Sequence, residues 1–244
     1  MNHQLPVLLY HRIVNAQSKV GRSKIYVWEK NFRKQMKFLK ENGCQTLTFE
    51  KLSQLSNFQT LQRSVVLTFD DGYEDNYTIL FPILKEFGFT AVIYLVTKKT
   101  QNEWAMREGE PELKMMTGEM IREMCDYGIE FGGHTRHHVD LKKISGEQLT
   151  EEISGCKKDV EEITGKPCVS FAYPFGAHNN ETEQAVKNAG YKFGISTIFG
   201  PTNWNEDLMR IRRIEIRPHD GLSKFKFKTS GNYFQKNYLQ HLLS

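Results

Sequence analysis

The feature that most constrains this chain is an alternation. Short apolar runs rich in branched residues recur along it, and between them lie segments with helical spacing. Val7 to Tyr10 reads as a first strand, with His11 and Arg12 at its end. Phe32, Met36 and Leu39 at i, i+4, i+7 mark a helix that Gly43 stops. A short strand near Cys44 to Leu47, a small helix with Phe49, Leu52 and Leu55, and a strand over Val65 to Phe69 follow. Ile79, Leu80, Ile83, Leu84 and Phe87 mark a helix broken or kinked near Pro82 and closed at Gly88. Further strands are expected at Ala91 to Val96, Ile129 to Gly133, Val169 to Tyr173, Phe193 to Thr197 and Ile211 to Ile216. Helical stripes separate most of them, at Met120/Ile121/Met124, Leu149/Ile153/Cys156/Val160/Ile163 and Ala185/Val186/Ala189. Ser145-x-x-Gln148 reads as a capping box, and Asn180-x-x-Glu183 as a second helix start. Lys98 to Met116, polar and Met-rich, has no period and reads as a loop over the site developed below.

Strands alternating with helices imply a parallel sheet with right-handed crossovers. An open dinucleotide-binding sheet needs a glycine-rich turn after its first strand, and His11-Arg12-Ile13 is no such turn. Residues with chemical potential stand after several different strands instead. That is the habit of a (β/α) barrel, whose active site is built at the strand C-termini. The 244 residues show no repeat, linker or low-complexity stretch. The expectation is therefore α/β, one barrel domain over 1–244. Residues 230–244, with Phe234, Tyr238, Leu239, Leu242 and Leu243 at roughly helical spacing, are expected to form an appendage packing on it, with an oligomer contact or a membrane-surface helix as the alternatives.

Composition excludes more than it identifies. Lys+Arg exceed Asp+Glu by only 33 to 29, with no basic block interleaved with aromatics, so no nucleic-acid partner is expected. No run approaches the ~18 apolar residues of a transmembrane helix. The first residues carry no charged n-region, so a cytoplasmic location is expected. Cys44, Cys125, Cys156 and Cys168 are scattered without C-x-x-C spacing and read as reduced thiols.

The strand Val65-Val66-Leu67-Thr68-Phe69 stops at Asp70-Asp71-Gly72. Adjacent carboxylates at the end of an apolar strand push one pKa upward unless a cation lies beside them. The strain is reasonable if one carboxylate binds a metal and the other handles a proton; a loop of solvated acids is the bland alternative. Gly132-Gly133-His134-Thr135-Arg136-His137-His138 tips the balance. His134 and His138, four apart after a strand, can place two imidazole nitrogens on one cation with Asp71 as third ligand. Such an oxygen/nitrogen set suits Zn²⁺, Co²⁺, Fe²⁺ or Ni²⁺, zinc first.

Three motifs carry a resemblance: Thr68-Phe69-Asp70-Asp71-Gly72, His134-Thr135-x-x-His138 and Phe171-Ala172-Tyr173-Pro174-Phe175-Gly176. Together they resemble the polysaccharide deacetylase family, the NodB-homology group or carbohydrate esterase family four. Leu5-Pro6-Val7-Leu8-Leu9-Tyr10-His11-Arg12 resembles the opening of the subgroup acting on poly-N-acetylglucosamine. The likeness runs from about residue 5 to about residue 217. It implies a distorted (β/α) barrel of about seven strands and hydrolysis of N-acetyl groups from an amino-sugar glycan. By resemblance, Asp71, His134 and His138 hold the metal, and Asp70 is the base that takes a proton from its water. The peptide N–H of Phe175 in the Pro174-Phe175-Gly176 turn serves the oxyanion.

Two departures qualify the match. Many members carry an arginine where this chain has Ala172, and Arg213 is the candidate to reach in from a later strand. The usual late histidine motif is blurred in Ile214-Glu215-Ile216-Arg217-Pro218-His219-Asp220. His219 is the first candidate for the acid protonating the leaving amine, with His178 and His11 behind it; His137 is a bystander. Tyr10, Tyr173 and Trp204 are candidate sugar-stacking surfaces. The leading reading is a metal-dependent N-deacetylase. The alternative is a non-catalytic glycan-binding protein that keeps the metal site. A metallophosphatase is disfavoured because no further carboxylates cluster for a second cation.

Overall fold

The computed structural model describes residues 5–55, 61, 63–198, 200, 202, 204, 208–230 and 233. Ten strands are described: β1 (Val7–Tyr10), β2 (Arg12–Val14), β3 (Tyr26–Trp28), β4 (Gln45–Thr46), β5 (Ser64–Phe69), β6 (Val92–Leu95), β7 (Glu130–Gly133), β8 (Ser170–Ala172), β9 (Phe193–Ile195) and β10 (Ile214–Glu215). Seven of them form one parallel path in the order β10-β1-β5-β6-β7-β8-β9, and β4 pairs with the first residues of β5. The path curls into a distorted barrel. Between its ends, β9 and β10, the chain at Leu208–Ile211 runs beside β9: Gly194 N–H donates to Leu208 O, Ile211 N–H to Gly194 O and Ser196 N–H to Ile211 O, each at 2.8 Å.

The period of two along each strand divides the core. Val66 of β5, Val92 and Tyr94 of β6, Ala172 of β8 and Phe193 and Ile195 of β9 point inward and share one cluster. Val65, Leu67, Phe69, Ile93, Leu95 and Phe171 point outward, where the helices cover them. Gly132 is the inward residue opposite Tyr94, and a Cβ there would lie 2.4 Å from the Tyr94 ring. The small helix foreseen after β4, Phe49–Leu52, sends Phe49 and Leu52 into the interior cluster and closes that end.

The outer layer holds α1 (Glu29–Glu41), α2 (that Phe49–Leu52 helix), α3 (Phe81–Phe87), α4 (Glu103–Met106), α5 (Gly118–Tyr127), α6 (Gly146–Thr150), α7 (Cys156–Thr164), α8 (Asn180–Asn188) and α9 (Leu222–Thr229). Pro82 sits in the first turn of α3, after a π turn at Asn76–Leu80, so it starts that helix instead of breaking it. Among the described residues no helix is long and apolar enough to cross a membrane.

Several local readings need correction. β2 and β3 form a small parallel sheet that the sequence did not suggest. The stretch Lys98 to Met116 holds α4, and antiparallel bridges Tyr73–Met115 and Gln101–Lys114 tie it down. The buried Asn102 side chain fastens it further, donating to Pro111 O at 3.0 Å and accepting from Leu113 N–H at 2.8 Å. Ser145 stands at the N-cap of α6 without a side-chain cap bond, and a second π turn at Glu151–Gly155 separates α6 from α7. The α8 capping box is made one residue earlier than expected, by Asn179 with Thr182. The basic stretch after β10 forms α9, with Phe225 buried beneath it. Of the expected appendage, residues 231–232 and 234–244 lie outside the described residues.

Candidate metal centre and active site

The chemistry collects where β1, β5, β7 and β8 end. Asp70 and Asp71 follow β5, and the backbone at Asp71 is left-handed (φ 77°). That twist lets two successive carboxylates face one site. His134 follows β7 and His138 closes the next turn, which again needs left-handed residues, Thr135 (φ 66°) and His138 (φ 55°). Phe175, after β8, is a further one (φ 59°). Among the described residues, four of the five non-glycine residues with positive φ therefore sit here, and such strain concentrates at working sites. Thr135 Oγ1 accepts from His138 N–H at 2.9 Å and stabilises the loop.

Both imidazoles converge on Asp71. Its Oδ1 lies 3.4 Å from His134 Nε2 and 3.3 Å from His138 Nε2. The three ligand atoms lie within 4.8 Å of one another, and all three residues are buried. His134 Nδ1 lies 2.7 Å from Ala172 O, and a carbonyl only accepts, so Nδ1 carries the hydrogen and Nε2 faces Asp71. Asp71 Oδ1 is buried with no hydrogen-bond partner. An orphaned carboxylate oxygen is costly unless something positive fills the gap. Tetrahedral ligation at ~2.0–2.1 Å spaces ligand atoms about 3.3–3.4 Å apart, so this trio fits a divalent cation such as zinc.

Charge follows the same pattern. Burial alone would raise the Asp71 carboxyl, but the two imidazoles beside it, His134 and His138, outweigh it and hold it well below the usual carboxylate range. Burial likewise opposes ionisation of Asp70, and the Arg213 guanidinium overcomes it. Burial lowers both imidazoles. Asp71 and Asp70 more than compensate at His134, whereas His138 stays below its ordinary value.

Arg213 crosses the barrel to Asp70. Its Nη1 and Nη2 donate to Oδ1 and Oδ2 at 2.6 and 2.7 Å. Nη1 also donates to Thr68 Oγ1, and Nε to Ser196 O. The guanidinium that Ala172 cannot supply is thus brought to Asp70 by Arg213, just before β10.

Other expected residues lie elsewhere. Tyr10 is 1% exposed, stacked on Phe69 at 5.1 Å, with its hydroxyl donating to Gln35 Oε1. Its pleat position points it at α1, so it is no sugar platform. Tyr173 is fully buried, its hydroxyl donating to Met209 O, and Pro174 beside it is buried too. Trp204 packs partly buried against the interior cluster. His178 is held between Glu183 Oε1 at 2.8 Å and Ser196 Oγ at 3.2 Å. His219 is exposed, because Asp220 turns inward to take Arg217 N–H and Lys228 Nζ and leaves its neighbour outside. His11, which follows β1, is a further imidazole near both Asp70 and Asp71.

Two residues had gone unnoticed. Trp104, from α4, stacks on the His138 ring at 4.4 Å and 21°, while Phe175, 59% exposed, meets that ring edge-on at 4.7 Å. Glu152 lies behind the His134–His138 loop and accepts its peptide N–H groups. Trp104 sits in an aperiodic stretch and Glu152 within a helical stripe, so neither carried a sequence signal.

Comparison with known proteins agrees with this architecture. The family model described as "Polysaccharide deacetylase" matches residues 58–194. The putative polysaccharide deacetylase YxkH of Bacillus subtilis is 30% identical over 217 residues, covering 88% of this chain and 72% of that protein. The poly-beta-1,6-N-acetyl-D-glucosamine N-deacetylase of Staphylococcus aureus is 28% identical over 180 residues, covering 70% of this chain and 60% of that protein. Among solved structures, the Streptococcus pyogenes deacetylase PplD in complex with acetate superposes with a TM-score of 0.80 at 26% identity, covering 94% of this chain and all of that one.

Proposed function

This chain belongs to the polysaccharide deacetylase family, hydrolases acting on the C–N bond of N-acetyl groups, and we propose that it deacetylates N-acetylglucosamine units of a glycan with the help of a divalent cation. The observation that carries the reading is the meeting of Asp71, His134 and His138 around one orphaned oxygen, beside the paired Asp70. The substrate class is suggested by the Staphylococcus aureus relative, whose name specifies a poly-N-acetylglucosamine.

Asp71, His134 and His138 would hold the cation. When bound it supplies a Lewis acid that lowers the pKa of water towards ~7 and polarises an acetamide carbonyl. Asp70 stays ionised through Arg213, and each of its oxygens keeps a second lone pair, so it can take the proton of the attacking water. The Phe175 N–H would donate to the oxyanion as the carbonyl carbon becomes tetrahedral. His11, half-buried beside both aspartates, is the acid we assign to the departing amine in place of His219. Trp104 and Phe175 wall the His138 side and leave an exposed aromatic edge for a sugar ring.

A non-catalytic glycan binder was suggested by Ala172 and by the blurred His219 motif; the Arg213–Asp70 pair answers the first, and the exposed His219 leaves the second to be decided by the assay. The test is mass spectrometry of acetylated amino sugars and oligomers after incubation with zinc-loaded protein. Loss of an acetyl group that disappears in Asp70→Asn supports the proposal. Zinc uptake and glycan binding without any acetate release would select the binding protein.

A further inference from the structure

We propose that Glu152 is a positioning residue that holds the His134–His138 loop in its ligating shape. The inference rests on the metal reading of Asp71, His134 and His138. Five residues must turn two imidazoles back onto one carboxylate, with side-chain-bearing residues in the left-handed region at positions 135 and 138. A loop of that shape does not persist without outside support.

Glu152 supplies that support at the centre of the loop. Its Oε2 accepts the peptide N–H groups of Arg136 at 2.9 Å and His137 at 3.0 Å, while Oε1 lies 2.6 Å from His137 Nδ1. The residue is 6% exposed, and it touches the segment between the two ligands without belonging to the ligand cluster. None of its three contacts uses a ligating atom. Glu152 lies in the π turn Glu151–Gly155, and wide turns of this kind often mark functional positions.

The helix accepts the loop closely. A Cβ at Gly155 would stand 2.9 Å from Arg136 Cδ, so the arginine lies across a bare patch of backbone. Its guanidinium then meets Asp159, Nε to Oδ2 at 2.9 Å, and also Glu151. Asp159 extends the tie to the loop after β6 by accepting from Thr97 Oγ1 and pairing with Lys98. Backbone bonds from Thr97 and Lys98 to Thr135 O and Arg136 O complete the frame. These are edge supports. Glu152 is the carboxylate that binds the loop's own peptide groups, which makes it the sensitive position.

The experiment compares zinc affinity, by competition with a chromogenic chelator, with the absorption spectrum of the cobalt-substituted protein. Wild type, Glu152→Ala, Glu152→Gln and Glu151→Ala are compared, with melting temperatures of the metal-free proteins. Removing an outer partner of a ligand loop typically weakens metal binding ~10–100-fold, and that loss is expected for Glu152→Ala together with an altered cobalt spectrum. Glu152→Gln keeps an oxygen for both N–H groups and is expected within about threefold of wild type, as is the exposed Glu151→Ala. Should Glu152→Ala fail to fold, Glu152→Asp, too short to reach both groups, is expected to show the same loss. Zinc affinity of a folded Glu152→Ala or Glu152→Asp within threefold of wild type overturns the inference, as does an unchanged cobalt spectrum. A wild-type chain that takes up no zinc overturns the metal reading itself.

Discussion

Arg213 and Asp70 stand 143 residues apart in the chain, yet their side chains share two hydrogen bonds of 2.6 and 2.7 Å at the end of the barrel interior. A guanidinium presents its donors as a rigid fork that matches a carboxylate edge, and here Thr68 Oγ1 and Ser196 O take up the donors pointing elsewhere. Burial would otherwise neutralise Asp70, so the pair both ionises the carboxylate and fixes its direction.

Arg213→Ala leaves that carboxylate buried without its partner. Breaking a buried pair from one side costs about 3–5 kcal/mol, which urea unfolding would register as a lower midpoint with an unchanged slope. Deacetylation is expected to fall along with it. Arg213→Lys restores a charge without the fork, and its turnover should lie between the two. If Arg213→Ala matches wild type in both midpoint and turnover, the orienting role is lost.

Asp70→Asn keeps the volume and removes the proton acceptor. Acetate release should drop ~10²–10⁴-fold, the usual contribution of a positioned base. Zinc stoichiometry should hold, because Asp70 lies outside the Asp71, His134, His138 trio. An Asp70→Asn protein that loses its zinc would mean the two aspartates have been assigned the wrong way round.

Local signals explain what could be read beforehand. The branched run Val65 to Phe69 ending in Asp70-Asp71, and the His134/His138 spacing after β7, are patterns within a few residues, and the fold brings those groups together. Arg213 joins Asp70 only through barrel curvature, which no local period encodes; its candidacy came from the gap at Ala172. Tyr10, at the end of β1, was placed at the site as a candidate sugar-stacking aromatic. Pleat parity turns it outward with Leu8, and parity becomes visible only when register is known. Glu152 was hidden by the π turn, which shifts the helical phase of the stripe it sits in.

Gly176 shows how tightly the Phe175 turn is drawn. Its φ is 66°, and a Cβ there would fall 1.9 Å from Thr197 Oγ1 and 3.0 Å from Thr197 Cβ. Gly176→Ala therefore meets both a left-handed backbone and a collision near the backbone of the neighbouring strand's exit. Destabilisation of about 1–3 kcal/mol is expected, with turnover falling further than stability because the Phe175 N–H moves. Calorimetry and acetate release measured on the same preparation separate the two effects. Equal turnover in Gly176→Ala would argue against Phe175 as the oxyanion donor.

Glu130 supplies a pH dependence remote from the ligand trio. It faces the barrel interior on β7, where its carboxylate accepts from Glu50 N–H at 2.7 Å and Ser170 Oγ at 3.1 Å. Burial dominates these bonds and pushes its pKa from 4.5 up to about 7. The folded state then holds this proton more tightly than the unfolded chain. Its stabilising contribution is complete below pH ~4.5, declines as pH rises, and is gone above ~7, a change of about 3 kcal/mol at 1.36 kcal/mol per unit. Glu130→Gln removes the titration while keeping both bonds, since the Ser170 hydroxyl can reverse its role and accept from the amide. The variant should match wild type in urea unfolding near pH 4.5 and exceed it near pH 8. Parallel stability curves for the two proteins across that range would show that Glu130 is ionised in the folded state throughout.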